Sequence, residues 1–191
     1  GPVARGLNAL ADTVPGIRDI ITIGKALFEG GKGDWDIVIA DAPPLGQLTS
    51  YLRAPVTIAG LVPVGRVRDQ ALRYEQELGD PHHTGLALVA TPEELPVVET
   101  MEAYEQIAEF VDIASVITNR VLGPLGVSED TLELVESLPH RQAGRLHRGL
   151  HAAQRRWIAD LPDGPQVPYR FGIHTPGEVA ALIADNLGTY L

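Results

Sequence analysis

The spacing of apolar residues changes several times along the chain, and each change marks an element. Residues 14–28 carry Ile17, Ile20, Ile21, Ile23 and Leu27 at near-helical spacing behind Pro15-Gly16, which predicts an amphipathic helix packed on a sheet. Residues 37–40 then switch period. Ile37, Val38 and Ile39 are consecutive β-branched positions with no polar alternation, the pattern of a parallel strand covered on both faces. Two further apolar runs, GLALVAT at 85–91 and IASVIT at 113–118, read as strands. Between them Thr91-Pro92-Glu93-Glu94 opens a helix expected to become regular after Pro96 and to run to about residue 110. Strand, helix, strand in this rhythm implies a right-handed crossover and a parallel sheet, so Asp41, Thr91 and Asn119 are expected on one edge.

The remaining pattern is helical. Pro43 and Pro44 force an extended exit from the strand, Gly46 is read as the bend, and a short helix is expected over 47–53. Residues 56–64 are apolar but broken by Gly60 and Pro63, and 65–78 read as a charged helix. The stretch 56–84 is therefore the place for a small insertion or a client-binding element, although Ile58, Leu61, Val62 and Val64 could equally cover the domain's own core. Helices are expected over 128–138 and 139–160, a short strand over 166–169, and a last helix from Thr175-Pro176-Gly177-Glu178, whose Thr, Pro and Glu occupy Ncap, N1 and N3. The fold class is α/β, a parallel sheet flanked by helices in a single domain spanning 1–191.

Composition narrows the function. With 191 residues and 45% apolar content the chain can bury one sizeable core. Lys plus Arg is 15 against 25 for Asp plus Glu, a formal charge of −10, which opposes binding to nucleic acid or to an anionic membrane. There is no cysteine, hence no disulfide framework and no thiolate zinc site. No apolar run approaches the ~20 residues of a membrane span, and the cytoplasm is the expected location.

Three features carry candidate chemistry. Asp41, at the expected carboxyl end of a strand, is well placed to hold a water on Mg²⁺ beside a phosphate chain; the plainer reading is an acid at a strand tip for solubility. Residues 29–34, EGGKGD, do not make a phosphate loop, because glycine follows the lysine and the segment leads into a strand rather than a helix. The helix at 139–160 concentrates Arg141, Arg145, Arg148, Arg155 and Arg156, either a docking face for an acidic partner or a solvated face, and its His147 and His151 at i, i+4 lack a third metal ligand.

Three segments together resemble one family. WDIVIADAPPLGQLTSYLRAP at 35–55 resembles the switch II region of the arsenite-pump and tail-anchored-protein-targeting ATPases, in the MinD-like deviant P-loop class. TGLALVATPEELPVVETMEAYEQIAEFVDIASVITNRVL at 84–122 is similar to that family's TPEELPxxET strand and helix and the strand ending in Asn, and VPYRFGIHTPGEVAALIADNL at 167–187 to its closing segment. With VPGIRDIITIGKALFE at 14–29, the similarity is nearest to a bacterial branch of paired, two-subunit members. The resemblance implies a P-loop NTPase-like fold and an ATP- and Mg-dependent conformational-switch ATPase. In it Asp41 would hold the Mg²⁺ through water, Pro43, Pro44, Gly46 and Gln47 would belong to switch II, Asn119 with Arg120 would lie in the nucleotide site with Asn119 at the adenine edge, and Pro168 would wall the base. It also implies a homodimer or a paired homologous subunit, with Leu48, Tyr51 and Leu52 dividing between core and interface, and a protein client.

The departures are specific. Leu45 and Gln47 stand where the family pattern has Thr and His, and the family's CxxC zinc clasp is impossible without cysteine. The 191 residues contain no GKGGxGKT loop and no switch I DPA segment, both of which precede switch II in the family. The expectation is therefore the C-terminal two thirds of an ATPase domain whose P-loop part is missing here; the alternative is a catalytically inactive pseudo-ATPase subunit that binds or scaffolds an active homologue.

Overall fold

The computed structural model describes residues 17–190, so residues 14–16 of the first expected helix lie outside the described residues. The chain divides into two compact units: Gly1–Leu86 with Ala103–Asp112, and Ala87–Glu102 with Ile113–Leu191.

The described part of the first unit is helical. Helix α1 (Ile17–Gly31) packs on α2 (Leu45–Leu52), α3 (Ala54–Leu61) and α4 (Arg66–Gly79). Its core is Ile58, Ala59 and Ala71, joined by the partly buried Ile20, Val62 and Leu72. Gly24 in α1 packs closely here, where a Cβ would stand 2.6 Å from the Tyr74 hydroxyl on α4 and the Tyr74 ring would have to shift. Helix α3 forms within the run expected to be irregular. Gly60 is tolerated near its end, and Val62, restricted by the following Pro63, takes an extended conformation that stops it. Arg68 then reaches from α4 to the carbonyls of Ala59 and Val62, two acceptors at the carboxyl end of α3.

Two expectations in this unit are corrected. Residues 37–40 form no strand. An extended run becomes a strand only through ladder hydrogen bonds with a neighbour, and this one has none; Ile37 is 76% and Ile39 86% exposed. Asp41 therefore does not cap a sheet strand. Gly46 is not the bend either. The turn is made at Pro44, in extended conformation with ψ 154°, whose carbonyl accepts the Gln47 and Leu48 N–H groups at 2.8 and 3.1 Å, and α2 begins at Leu45.

The second unit contains the sheet. Strands β1 (Leu86–Ala90), β2 (Ile113–Val121) and β3 (Gln166–Pro168) lie in that order in a parallel sheet flanked by helices. In β1 burial alternates: Leu88 and Ala90 are buried and Val89 is 56% exposed, so this strand is covered on one face. Helix α5 (Glu94–Ile107) starts before Pro96 rather than after it, since a proline in the first turn removes an N–H that has no intrahelical partner.

Beyond β2, helix α6 is only Glu129–Glu133, started by Ser128, whose hydroxyl accepts the Thr131 N–H. The expected continuation to residue 138 fails because Pro139, in the first turn of α7 (Leu138–Ile158), has no N–H for the Val135 carbonyl, which Arg141 takes instead. Helix α8 (Pro176–Leu187) carries the complete capping box predicted for it, Thr175 and Glu178 each bonding the other's backbone N–H.

Candidate functional site

Local geometry at 41–55 brings most of the first residue set together. Because the chain leaves Pro44 extended and turns at once into α2, Asp41, Pro43, Gly46 and Gln47 face a common cavity of about 470 Å³. Pro44 does not line it; its carbonyl starts the helix. Asp41 is exposed. Four lining residues were not foreseen: Asp19 and Thr22 from the first two turns of α1, and Ser50 and Tyr51 one turn along α2. Asp19 lies 22 positions before Asp41 with no motif joining them, so only the packing of α1 on α2 discloses it.

Tyr51 is 9% exposed, and Leu48 and Leu52 are buried as well, so three of the four apolar residues of α2 belong to the core, with Leu45 half-buried. The expected division between core and subunit interface is corrected on that ground. Burial pushes the Tyr51 phenol above its ordinary value, and the nearby Asp19 charge adds to the shift. No lysine or arginine lines the cavity. Its donor set is carboxylate, hydroxyl and amide oxygen, which suits a hard cation that keeps several waters and offers no cationic group to a polyphosphate.

The second set gathers in the other unit, at the carboxyl end of β2. Thr118 pairs with Gln166 and Val121 with Pro168, so two residues, Asn119 and Arg120, stand opposite one, Val167. This is a β-bulge, and Arg120 within it is left-handed with φ 60°. The strand therefore continues through Asn119 and Arg120 rather than ending before them. The Asn119 side-chain oxygen accepts the Arg120 N–H at 2.9 Å, and Val121 O accepts the Tyr169 N–H at 2.8 Å. Pro168 is half-buried and paired, at the register position facing Val121. Immediately after it the Tyr169 and Phe171 rings meet at 4.7 Å between centroids with a 59° tilt.

Helix α7 holds the segment that follows this turn. His147 Nε2 pairs with Gly123 O at 2.8 Å, Arg148 donates to Val127 O at 2.7 Å, Arg145 donates from two nitrogens to the Glu133 carboxylate at 2.7 to 3.1 Å, and Arg141 donates to Val135 O at 3.0 Å. Three of the five arginines thus tie down residues 127–135, a use that neither sequence reading anticipated. Hydrogen bonds from Arg145 hold the Glu133 carboxyl below the usual glutamate value and raise the guanidinium in turn. His147 is committed to a carbonyl, and no group of three metal-ligating side chains occurs among the described residues.

No protein-family model matches the chain. It is similar to ATPase BagA of Mycobacterium tuberculosis strain H37Rv and to a candidate ATPase of Mycobacterium bovis, in each case 34% identical over 123 residues. The match covers 60% of this chain and 36% of each relative, so the chain spans well under half the length of the curated relatives it matches. Among the described residues no helix is long and apolar enough to cross a membrane.

Proposed function

We propose that the chain is part of an ATP-dependent conformational-switch ATPase of the anion-transporting and tail-anchored-protein-targeting kind, in which 41–53 is the switch and 119–120 with Pro168 the base end of the nucleotide site. The observation that carries the reading is the gathering of Asp41, Pro43, Gly46 and Gln47 around one cavity at the entry of α2, in a chain 34% identical to proteins named as ATPases.

Asp41, with Asp19 and the Ser50 hydroxyl in the same cavity, would hold a hydrated Mg²⁺, which when bound to ATP neutralises charge on the phosphates. The cavity fits the metal end alone, since none of its lining residues is basic. In the second unit, the Asn119 carboxamide would offer a donor and an acceptor to an adenine edge, and Pro168 an apolar wall. Movement of the switch would be delivered through Pro44 into α2 and α3. The exposed Leu61, Val64 and Val67 at the turn between α3 and α4 are the apolar surface on which a second subunit or a protein client would act.

The test is Asp41→Asn in the full-length protein. Hydrolysis should fall strongly while ATP binding persists, read by phosphate release and by titration calorimetry. Loss of both together would assign Asp41 a structural role and remove it from the metal site.

A further inference from the structure

Arg120 is the one residue other than glycine, among the described residues, with a positive φ. A residue with a Cβ disfavours that conformation, so something must hold it. Two of the bonds come from the strands themselves, Asn119 Oδ1 accepting the Arg120 N–H and Val121 O accepting the Tyr169 N–H. The others come from Gln154, near the end of α7. Its Oε1 accepts the Leu122 N–H at 2.8 Å and its Nε2 donates to Arg120 O at 3.3 Å. One side-chain amide therefore meets a backbone donor and a backbone acceptor on either side of Val121.

The bulge has a directional consequence. The alternation that buries Val116 and Thr118 would carry position 120 to the same buried face in a regular strand. The extra residue and the left-handed turn bring Arg120 out to solvent instead, where its guanidinium has no acidic partner among the described residues, next to the half-buried Asn119. A bulge that re-aims a side chain at the carboxyl end of a parallel strand is placed where open α/β sheets receive ligands.

We propose that Gln154 is a positioning residue for the Asn119–Arg120 turn: by holding Arg120 left-handed it sets the angle at which the Asn119 carboxamide and the Arg120 guanidinium meet a nucleobase. This rests on the reading of Asn119 as the base-contacting residue. Both ends of the Gln154 amide are bonded to that backbone, so it acts through the backbone it grips.

The experiment uses the full-length protein and two readouts. The first is a double-mutant cycle on stability. Arg120→Gly accepts φ 60° without help, so Gln154→Ala should cost clearly less midpoint stability in the Arg120→Gly background than alone. Equal costs in both backgrounds overturn the proposal, because Gln154 then does not hold the turn. The second is the ratio of ATP to GTP dissociation constants. Gln154→Ala should reduce the preference for ATP by about three- to tenfold, the loss of one or two hydrogen bonds' worth of positioning. Asn119→Ala is the control for the underlying reading. If it shifts the ratio and Gln154→Ala does not, the positioning role alone fails; if neither shifts it, the base-contact reading falls and the proposal with it. Should Gln154→Ala not fold, Gln154→Glu retains the acceptor for the Leu122 N–H and loses the donor to Arg120 O. A several-fold drop in the ratio is then expected, and an unchanged ratio overturns the proposal.

Discussion

Gly164 lies so close to β2 that a Cβ added to it would stand 2.1 Å from the Val116 carbonyl oxygen. That neighbour is strand backbone, which cannot rotate away as a side-chain tip can. Gly164→Ala should therefore destabilise the protein by about 1–3 kcal/mol, toward the upper end of overpacking costs, by urea titration. An unchanged midpoint would mean that β3 can shift without penalty. Tyr51 offers a test of the other unit. Its phenol is raised first by burial and then by Asp19, so Asp19→Asn should bring its titration, followed by ultraviolet absorbance, part of the way back. Full return to the ordinary value would make the charge, not burial, the main cause. Asp41, Pro43, Gly46 and Gln47 line one cavity as near neighbours in sequence, so their grouping was legible there, whereas Asp19 and Gln154 were not, because only packing brings them in.

Elements set by local chemistry were equally legible. The start of α8 follows from Thr175, Pro176 and Glu178, three side chains within one turn, and the structure closes both bonds of the box. Hydrogen bonds from the Thr175 N–H and hydroxyl hold the Glu178 carboxyl below its ordinary value. No residue of α8 is fully buried, so its stability leans on that cap. Thr175→Ala should cost about 1 kcal/mol and speed hydrogen exchange across α8 more than elsewhere. A uniform change over the molecule would show that α8 does not fray as a unit. Elements that depend on distant partners were not legible. Three β-branched residues at 37–39 satisfy the strand pattern, yet a ladder needs a second strand, and the sequence of one segment says nothing of its neighbour. The early end of α6 differs, since Pro139 offers no N–H to the Val135 carbonyl and only the use of that carbonyl by Arg141 depends on packing.

For the molecule as a whole, specific partners rather than the formal charge of −10 set the response to pH. Among the described residues four carboxyls sit below their ordinary values: Glu133 through Arg145, Asp80 through the His82 N–H and then His83, Glu29 through Lys25 and Lys32, and Glu178 through Thr175. A carboxyl depressed on folding adds stability above its unfolded value and loses it as pH falls through the folded one, so all four weaken the fold on the acid side. Tyr51 is raised on folding, so its contribution is present below the unfolded phenol value and is lost as pH climbs through the folded one. None of the four carboxyls is buried, so each effect is small and screened by salt. Glu133 is the informative one, because its bonds to Arg145 join residues twelve apart and help anchor the segment that leaves the Asn119–Arg120 turn. Wild type and Glu133→Gln should differ in thermal midpoint at neutral pH and low salt. The difference should narrow as pH drops past about 4.3 and vanish once Glu133 is protonated. It should also shrink in molar salt, where the Debye length is about 3 Å. A difference that survived both acid and salt would come from packing of the side chain, and Arg145 would then hold the segment by its length rather than its charge.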